Sequence, residues 1–392
     1  MKRIAFAALF CFATLTMFAQ KQEVKNADKA LSKGELDVAL TSINLATQNP
    51  ETQGLPDTWF LKGNILQTIG ASQDEKYKSL VANPLVEAFE CYKKVIELDA
   101  KNKFKNKLGM QFLSLSNSLV NAGGAFYEKQ DYKNSLLSFE TSLEVNKQPI
   151  FKGAIDTSII YNAGYVALKD SSWDKAIKYF TETKNYNYNG VNSYILLKDA
   201  YLGKKDLVNA EAVLQECSQK YGNSNNAVVF ELVNYYILTG QSEKALDYLR
   251  IAKEIDPKNV SLYFAEGTLY EKTNQPEKAI ESYKKSVEID STYFDGYYNL
   301  GVVYYNKAVK YYEQSNSTKD YKEAAKIQAL GDVELKNSLP WMEKAHQVNP
   351  NDKDCMMSLK NLYIRMQSID SENYTKWEQK FKAVKAQLDA AN

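Results

Sequence analysis

Apolar side chains along this 392-residue chain return every three or four positions, the spacing of one face of an α-helix, and no segment alternates as a strand would. On top of that short period runs a longer one. Val229, Tyr263 and Tyr297 stand 34 residues apart, and so do Tyr236, Tyr270 and Tyr304. A unit of that length accommodates two antiparallel helices and a turn, yet it cannot close a core by itself, so successive units have to stack. The pattern therefore predicts an all-α chain built from repeated helix pairs.

The unit from Val260 shows the pattern most fully, with Tyr263, Gly267 and Tyr270 on a first helix and Ala279, Tyr283 and Ser286 on a second. Small residues fall where two backbones approach, and aromatics fill the wider gaps. The unit from Asn226 repeats it with Val229, Leu232, Tyr236, Ala245, Leu249, Ala252 and Pro257, Val233 standing in the glycine place. Upstream come Tyr194, Leu197, Tyr201, Ala210, Leu214 and Cys217, then Gly164, Ala176 and Phe180, then Gly123, Phe126, Ser135, Phe139 and Ser142. This series of aromatic, Leu-Gly, Tyr, Ala, aromatic, Ala and Pro resembles the tetratricopeptide repeat (TPR) family. The resemblance implies an α-α superhelix, a TPR solenoid, here of about nine helix pairs.

The register divides the chain into units near 20–55, 56–115, 116–156, 157–190, 191–225, 226–259, 260–293, 294–352 and 353–392, one solenoid over 21–392. Two units are interrupted. Trp59, Gly63 and Leu66 are parted from Ala88, Tyr92 and Val95 by an insertion at 71–83, after which Pro84 suits a helix's first turn. Tyr297, Leu300, Gly301 and Tyr304 are parted from a second helix at 339–348 by an insertion at 314–333, and both insertions read as loops or partner-specific elements. The end units, around Ala27, Ala39, Ile43 and Ala46 and around Met356, Leu359, Tyr363, Trp377, Phe381 and Val384, read as caps, the last with a Lys-rich outer face.

The first twenty residues differ in kind: Lys2 and Arg3, an apolar run from Ile4 to Phe18, then a small residue, which is the plan of a secretory signal peptide cut after Ala19 or Gln20. The run is shorter than the roughly 20 residues a membrane span needs, so no stable membrane insertion is expected after cleavage. Cys11 lies inside the run and not behind it, unlike the acylated cysteine of a lipoprotein. Without Lys2 and Arg3 the formal charge passes from +1 to −1, and the lysines are mostly interspersed with Glu and Asp. No nucleic-acid partner is expected. The local run of Lys101, Lys103, Lys105 and Lys107 reads as a solvated linker or helix start.

Candidate chemistry is sparse. His346 is the single histidine, no phosphate-binding or dinucleotide glycine fingerprint occurs, and Cys91, Cys217 and Cys355 fall in separate units. No catalytic residue, metal site or cofactor is assigned, and the three thiols are expected to be buried and unbridged. Carboxylate-pair hydrolysis survives only because Asp and Glu are plentiful, and none stands out in an apolar setting.

By resemblance to the TPR family, ligands lie along the first helices, and the corresponding places here hold Asn121; Tyr161, Asn162 and Tyr165; Phe230 and Asn234; Phe264; and Tyr298 and Asn299. Amides that pair with a peptide backbone, beside aromatics that give contact area, suit an extended peptide or a helix. The basic clamp for a C-terminal carboxylate known in the family is replaced by Phe230, Phe264 and Tyr298. The expectation is an exported, periplasmic scaffold resembling those of Gram-negative bacteria, peripheral to the outer membrane or secreted, that binds other envelope proteins. A carbohydrate or cell-wall binding module and a carboxylate-dependent hydrolase are the alternatives.

Overall fold

The computed structural model describes residues 22–222 and 225–390, so the candidate signal segment 1–20 lies outside the described residues. Among those residues nine helix pairs follow one another and none is in a strand. They are α1 (22–32) with α2 (Leu36–Gln48), α3 (Pro56–Ala71) with α5 (Pro84–Leu98), α6 (Lys105–Glu128) with α7 (Tyr132–Asn146), and α8 (Thr157–Lys169) with α9 (Trp173–Asn185). Then come α10 (Val191–Gly203) with α11 (Leu207–Tyr221), α12 (Asn226–Leu238) with α13 (Ser242–Ile255), and α14 (Val260–Lys272) with α15 (Pro276–Ile289). The last pairs are α16 (Phe294–Ser317) with α17 (Tyr321–Val348) and α18 (Lys353–Ile369) with α19 (Tyr374–Ala390); α4 (Glu75–Lys78) is one extra turn. The chain forms two compact units, Met1–Val213 and Leu214–Asn392. No described helix is long and apolar enough to cross a membrane.

Six pairs close by one device. Gly34, Gln130, Ser171, Lys205, Gly240 and Asn274 each sit just past a first helix with φ between 56° and 76°, the left-handed region. The amide after each one donates back to a carbonyl of the last helical turn, Glu35 to Ala30, Asp131 to Phe126, Ser172 to Ala167, Asp206 to Tyr201, Gln241 to Tyr236 and Gln275 to Tyr270, at 2.8–3.0 Å. This is the Schellman cap. Two acceptors, Tyr236 and Tyr270, belong to the 34-residue stride. At the third, Tyr304, the residue four places on is Ala308, a strong helix former, and the helix runs on to Ser317.

That difference corrects the reading of 314–333 as a loop. Both helices of this pair are elongated, and the elongated parts pack on each other. The Tyr312 ring fills the space over Gly331, where a Cβ would lie 2.7 Å from its Cε1. The Tyr312 hydroxyl donates to Asp332 at 2.8 Å, and Ser315 Oγ donates to the Ala324 carbonyl at 2.8 Å. Asp320 caps α17 through the Lys322 and Glu323 amides. The insertion 71–83 contains α4, which folds back so that Tyr77 Oη donates to the Gly34 carbonyl at 2.9 Å and Lys76 pairs with Asp37 at 2.9 Å. The boundary drawn at Ser116 falls inside α6, which starts at Lys105.

In five pairs a first-helix glycine receives a large side chain of the second helix. Gly63 faces Tyr92, Gly123 faces Phe139, Gly164 faces Phe180, Gly267 faces Tyr283 and Gly301 faces Met342. A methyl group on Gly267 would lie 2.5 Å from the Tyr283 ring. Four residues before each of these partners stands a small residue with no exposed surface: Ala88, Ser135, Ala176, Ala279 and Ser338. Two are serines, and both donate to the carbonyl of their glycine at 2.7 Å, Ser135 to Gly123 and Ser338 to Gly301. The repeat thus resumes at Ser338, inside α17.

Candidate functional site

The first-helix faces hold the candidate binding residues, in two groups. Asn121 on α6 and Tyr161, Asn162 and Tyr165 on α8 belong to the first unit; Phe230 and Asn234 on α12, Phe264 on α14, and Tyr298 and Asn299 on α16 belong to the second. In the first unit α6 and α8 are joined by Tyr127 and Tyr165, whose ring centroids are 6.0 Å apart. The Tyr165 hydroxyl beside it holds the Tyr127 phenol above its ordinary range. Lys169 lies over Tyr165 at 5.5 Å.

The aromatics differ in the partners they engage. Tyr161 is edge-on to Phe180 of its own pair at 5.8 Å and to Tyr188, in the connection leading to α10, at 5.6 Å. Phe264 contacts Tyr283 at 5.5 Å and Tyr293, just ahead of α16, at 5.6 Å. Phe60, at the same place on α3, contacts Tyr92 at 6.0 Å and Phe104, just ahead of α6, at 5.1 Å. In each case a first-helix ring bridges its partner helix and the entry to the next pair, and each ring pair is worth about 0.5–1.5 kcal/mol beyond its buried area. Burial pushes the Tyr161 phenol up. Tyr161 and Phe264 therefore hold neighbouring pairs together, while Tyr298 stacks on Phe294 of its own helix at 5.7 Å.

The amides divide the same way. Asn299 Nδ2 donates to the Asp295 carbonyl of its own helix at 2.9 Å. Asn121, Asn162 and Asn234 are exposed, and among the described residues their side chains make no hydrogen bond. Each presents one carbonyl and one NH₂ to solvent, the complement of a peptide group. Phe230 is half-buried beside Asn234 on α12.

Two cavities lie elsewhere, and none of the candidate residues lines them. One of about 820 Å³ opens over α5, α7, α9 and the connection 147–156, floored by Phe89, Leu137, Ile155 and Ile160. Sequence reasoning passed over it because it faces the second helices; its one signal was the long connection after α7. The other, about 340 Å³, is lined by Glu271, Asn274, Asn306, Lys307 and Lys310.

Two carboxylates correct the expectation that none would stand out. Glu266 is buried between Lys253, paired at 2.5 Å, and Ser282, whose hydroxyl donates at 2.9 Å. Burial raises the Glu271 carboxyl, opposed by the Tyr283 hydroxyl, which donates to it at 2.6 Å. Gln67 occupies the matching place on α3, with Tyr92 Oη 2.9 Å from its Oε1, so Glu271 stands where an amide also serves. His346 bonds Gln387 at 3.1 Å. Cys91, Cys217 and Cys355 are buried and free, and burial pushes the first and last up to about 12 and Cys217 to about 11.

Residues 267–307, from the end of α14 into α16, match the family described as TPR repeat. No curated protein matches. Among solved structures, YrrB, described as a TPR protein with an unusual peptide-binding site, is 16% identical, with a TM-score of 0.35 over 46% of this chain and 88% of its own. The MamA protein is 18% identical, with a TM-score of 0.36 over 49% of this chain and 95% of its own. A TPR repeats protein of Bacteroides fragilis NCTC 9343 is 20% identical, with a TM-score of 0.32 over 64% of this chain and 98% of its own. The matched segment contains the Gly267, Tyr283 and Asn274 positions whose equivalents recur in other pairs, so residues 267–307 are a TPR-repeat segment and other helix pairs repeat its contacts.

Proposed function

We propose that this protein is a non-enzymatic scaffold of the cell envelope, exported by its N-terminal segment, that holds extended peptides or helices of other envelope proteins against its first helices. The carrying observation is that Asn121, Asn162 and Asn234 stand exposed with no hydrogen bond among the described residues, the last two one turn from Tyr165 and Phe230. An amide pointing outward from a rigid helix meets a peptide group without first giving up an internal bond. Asn121 on α6 and Asn162 on α8 hold the same register place, two residues before Gly123 and Gly164, which supports recognition of main chain more than of one side chain. Tyr165, Phe230 and Tyr298 supply contact area, whereas Tyr161 and Phe264 act through the packing of neighbouring pairs.

Photo-crosslinking in intact cells tests this reading. A photoreactive residue in place of Asn162 or Asn234 is expected to yield discrete envelope-protein adducts, and one in place of the exposed Lys326 is not. Absence of adducts at the two asparagines, or the same adducts at all three positions, refutes the assignment of binding to the first helices.

A further inference from the structure

The lysines at the start of α6 are not absorbed by the scaffold reading. Residues 100–127 contain Lys101, Lys103, Lys105 and Lys107 and no Asp or Glu, and residues 145–155 contain Lys147 and Lys152, again with no acid. These segments meet: a methyl group on Gly109 of α6 would lie 3.3 Å from Ile150 Cδ1, and Phe151 packs into the core that holds Phe104, Leu108 and Phe112. Lys147 pairs with Glu144 at 2.6 Å, but Lys101, Lys103, Lys105, Lys107 and Lys152 take part in no ion pair among the described residues. In a chain of formal charge +1 this is a concentrated excess of positive charge.

Apolar side chains stand in the same place. Met110 is 73% exposed, Leu113 45% and Ile150 42%. Met110 and Leu113 stand one turn apart on α6, Ile150 is against Gly109 next to Met110, and the Lys107 ammonium lies over the Phe60 and Phe104 rings at 5.9 and 5.4 Å. Met110, Leu113 and Ile150 protrude from the surface, and none of them lines the two cavities described above. An acidic protein segment would leave Met110, Leu113 and Ile150 needing matched pockets. A fluid bilayer takes up protruding apolar side chains of any outline while its anionic headgroups meet the lysines. The part of α6 ahead of Ser116, added to the repeat, carries most of the patch.

We propose that the α6 start and residues 147–152 of the connection after α7 form a peripheral contact for a membrane surface rich in anionic phospholipid. Headgroup phosphates pair with Lys101, Lys103, Lys105, Lys107 and Lys152, and Met110, Leu113 and Ile150 enter the interfacial layer. Salt screens such a contact, so it weakens as ionic strength rises.

Flotation of the full chain with phosphatidylglycerol–phosphatidylcholine vesicles, against phosphatidylcholine alone, tests it. The apolar segment 4–18 is common to every variant, so differences between variants read the patch. Binding to the anionic vesicles is expected to fall by about 600-fold when Lys101, Lys103, Lys105 and Lys107 become Gln, at roughly fivefold per lysine. Met110→Ser with Leu113→Ser is expected to weaken binding without flattening its salt dependence. Lys319→Gln with Lys322→Gln, at the exposed α16–α17 turn, is expected to leave binding unchanged. Equal binding to both vesicle types, equal loss in the α16–α17 control, or stronger binding to polyglutamate than to vesicles overturns the proposal. All variants change exposed side chains, and an unchanged thermal midpoint confirms that they fold.

Discussion

Two adjacent glycines offer a direct measurement of the contact on which the repeat is built. Gly123 and Gly124 lie in the same turn of α6, so alanine at either gains similarly in helix propensity, about 0.8–1.0 kcal/mol in a helix interior. Their surroundings differ. A Cβ on Gly124 meets nothing within 4 Å, whereas one on Gly123 lies 2.9 Å from Cε2 and Cζ of Phe139 and 3.1 Å from its Cδ2. Carbon atoms rest about 3.5–4.0 Å apart, so the ring would have to retreat by roughly 0.6–1 Å. Phe139 is buried, and overpacking of this kind costs about 1–3 kcal/mol. Gly124→Ala is therefore expected to stabilise by nearly 1 kcal/mol, and Gly123→Ala to be neutral or destabilising by up to about 2 kcal/mol. At 2–4 °C per kcal/mol for a unit of about 200 residues, the midpoints should differ by roughly 2–12 °C. Thermal and urea unfolding followed by far-ultraviolet circular dichroism measures the gap. Phe139→Leu in the Gly123→Ala background should recover part of the loss, read as a coupling in the double-mutant cycle. Equal stabilisation by both alanines, with no coupling to Phe139, would show that the glycine–ring contact does not set the spacing of the pair.

Other outcomes follow from the same geometry. A carboxyl whose pKa is raised on folding favours the native state when protonated, so the contribution of Glu271 declines as pH rises through the ordinary carboxylate range and beyond. Glu271→Gln, which copies Gln67, should melt higher than the wild type at about pH 7 and lose that advantage at about pH 4; an advantage independent of pH would discount burial of the charge. Lys205 holds φ 62°, and relief of about 1–2 kcal/mol of left-handed strain exceeds the added chain entropy of glycine, so Lys205→Gly should stabilise by about 0.5–1 kcal/mol in urea titration. Cys91, Cys217 and Cys355 should resist a disulfide exchange reagent at about pH 8 until denaturant is added; rapid reaction of the folded chain would contradict their burial.

The helix pairs were legible because glycine, small residue and aromatic recur at fixed offsets, and those same residues make the contacts of Gly267 with Tyr283 and Gly164 with Phe180. The elongated α16–α17 pair was not, because its polar residues 314–322 resemble a loop in composition. What distinguishes them is Ala308 in place of a left-handed turn residue, a signal visible only once the caps at Gly240 and Asn274 are known. At the candidate site, sequence position identified the first-helix residues but not their engagement. Nothing in the register separates Asn299, bonded to its own helix, from Asn162, which is not, since that depends on side-chain rotamers and neighbours.

The long α16–α17 hairpin bears on how the chain acquires its structure in time. Its two helices are joined by three residues, as those of α12–α13 are, but they are longer, so contacts such as Ser315 with Ala324 and Tyr312 with Asp332 add local contacts, closed over short loops at little entropic cost, that the shorter pairs lack. Low sequence separation favours early formation. The hairpin is thus expected to seed its unit during synthesis, before α18 and α19 emerge, and pulse-labelled hydrogen exchange should find its amides protected ahead of those of α12 and α13. In that role the added turns would serve the order of assembly, by giving the pair furthest from the regular stride the largest share of local contacts in its unit.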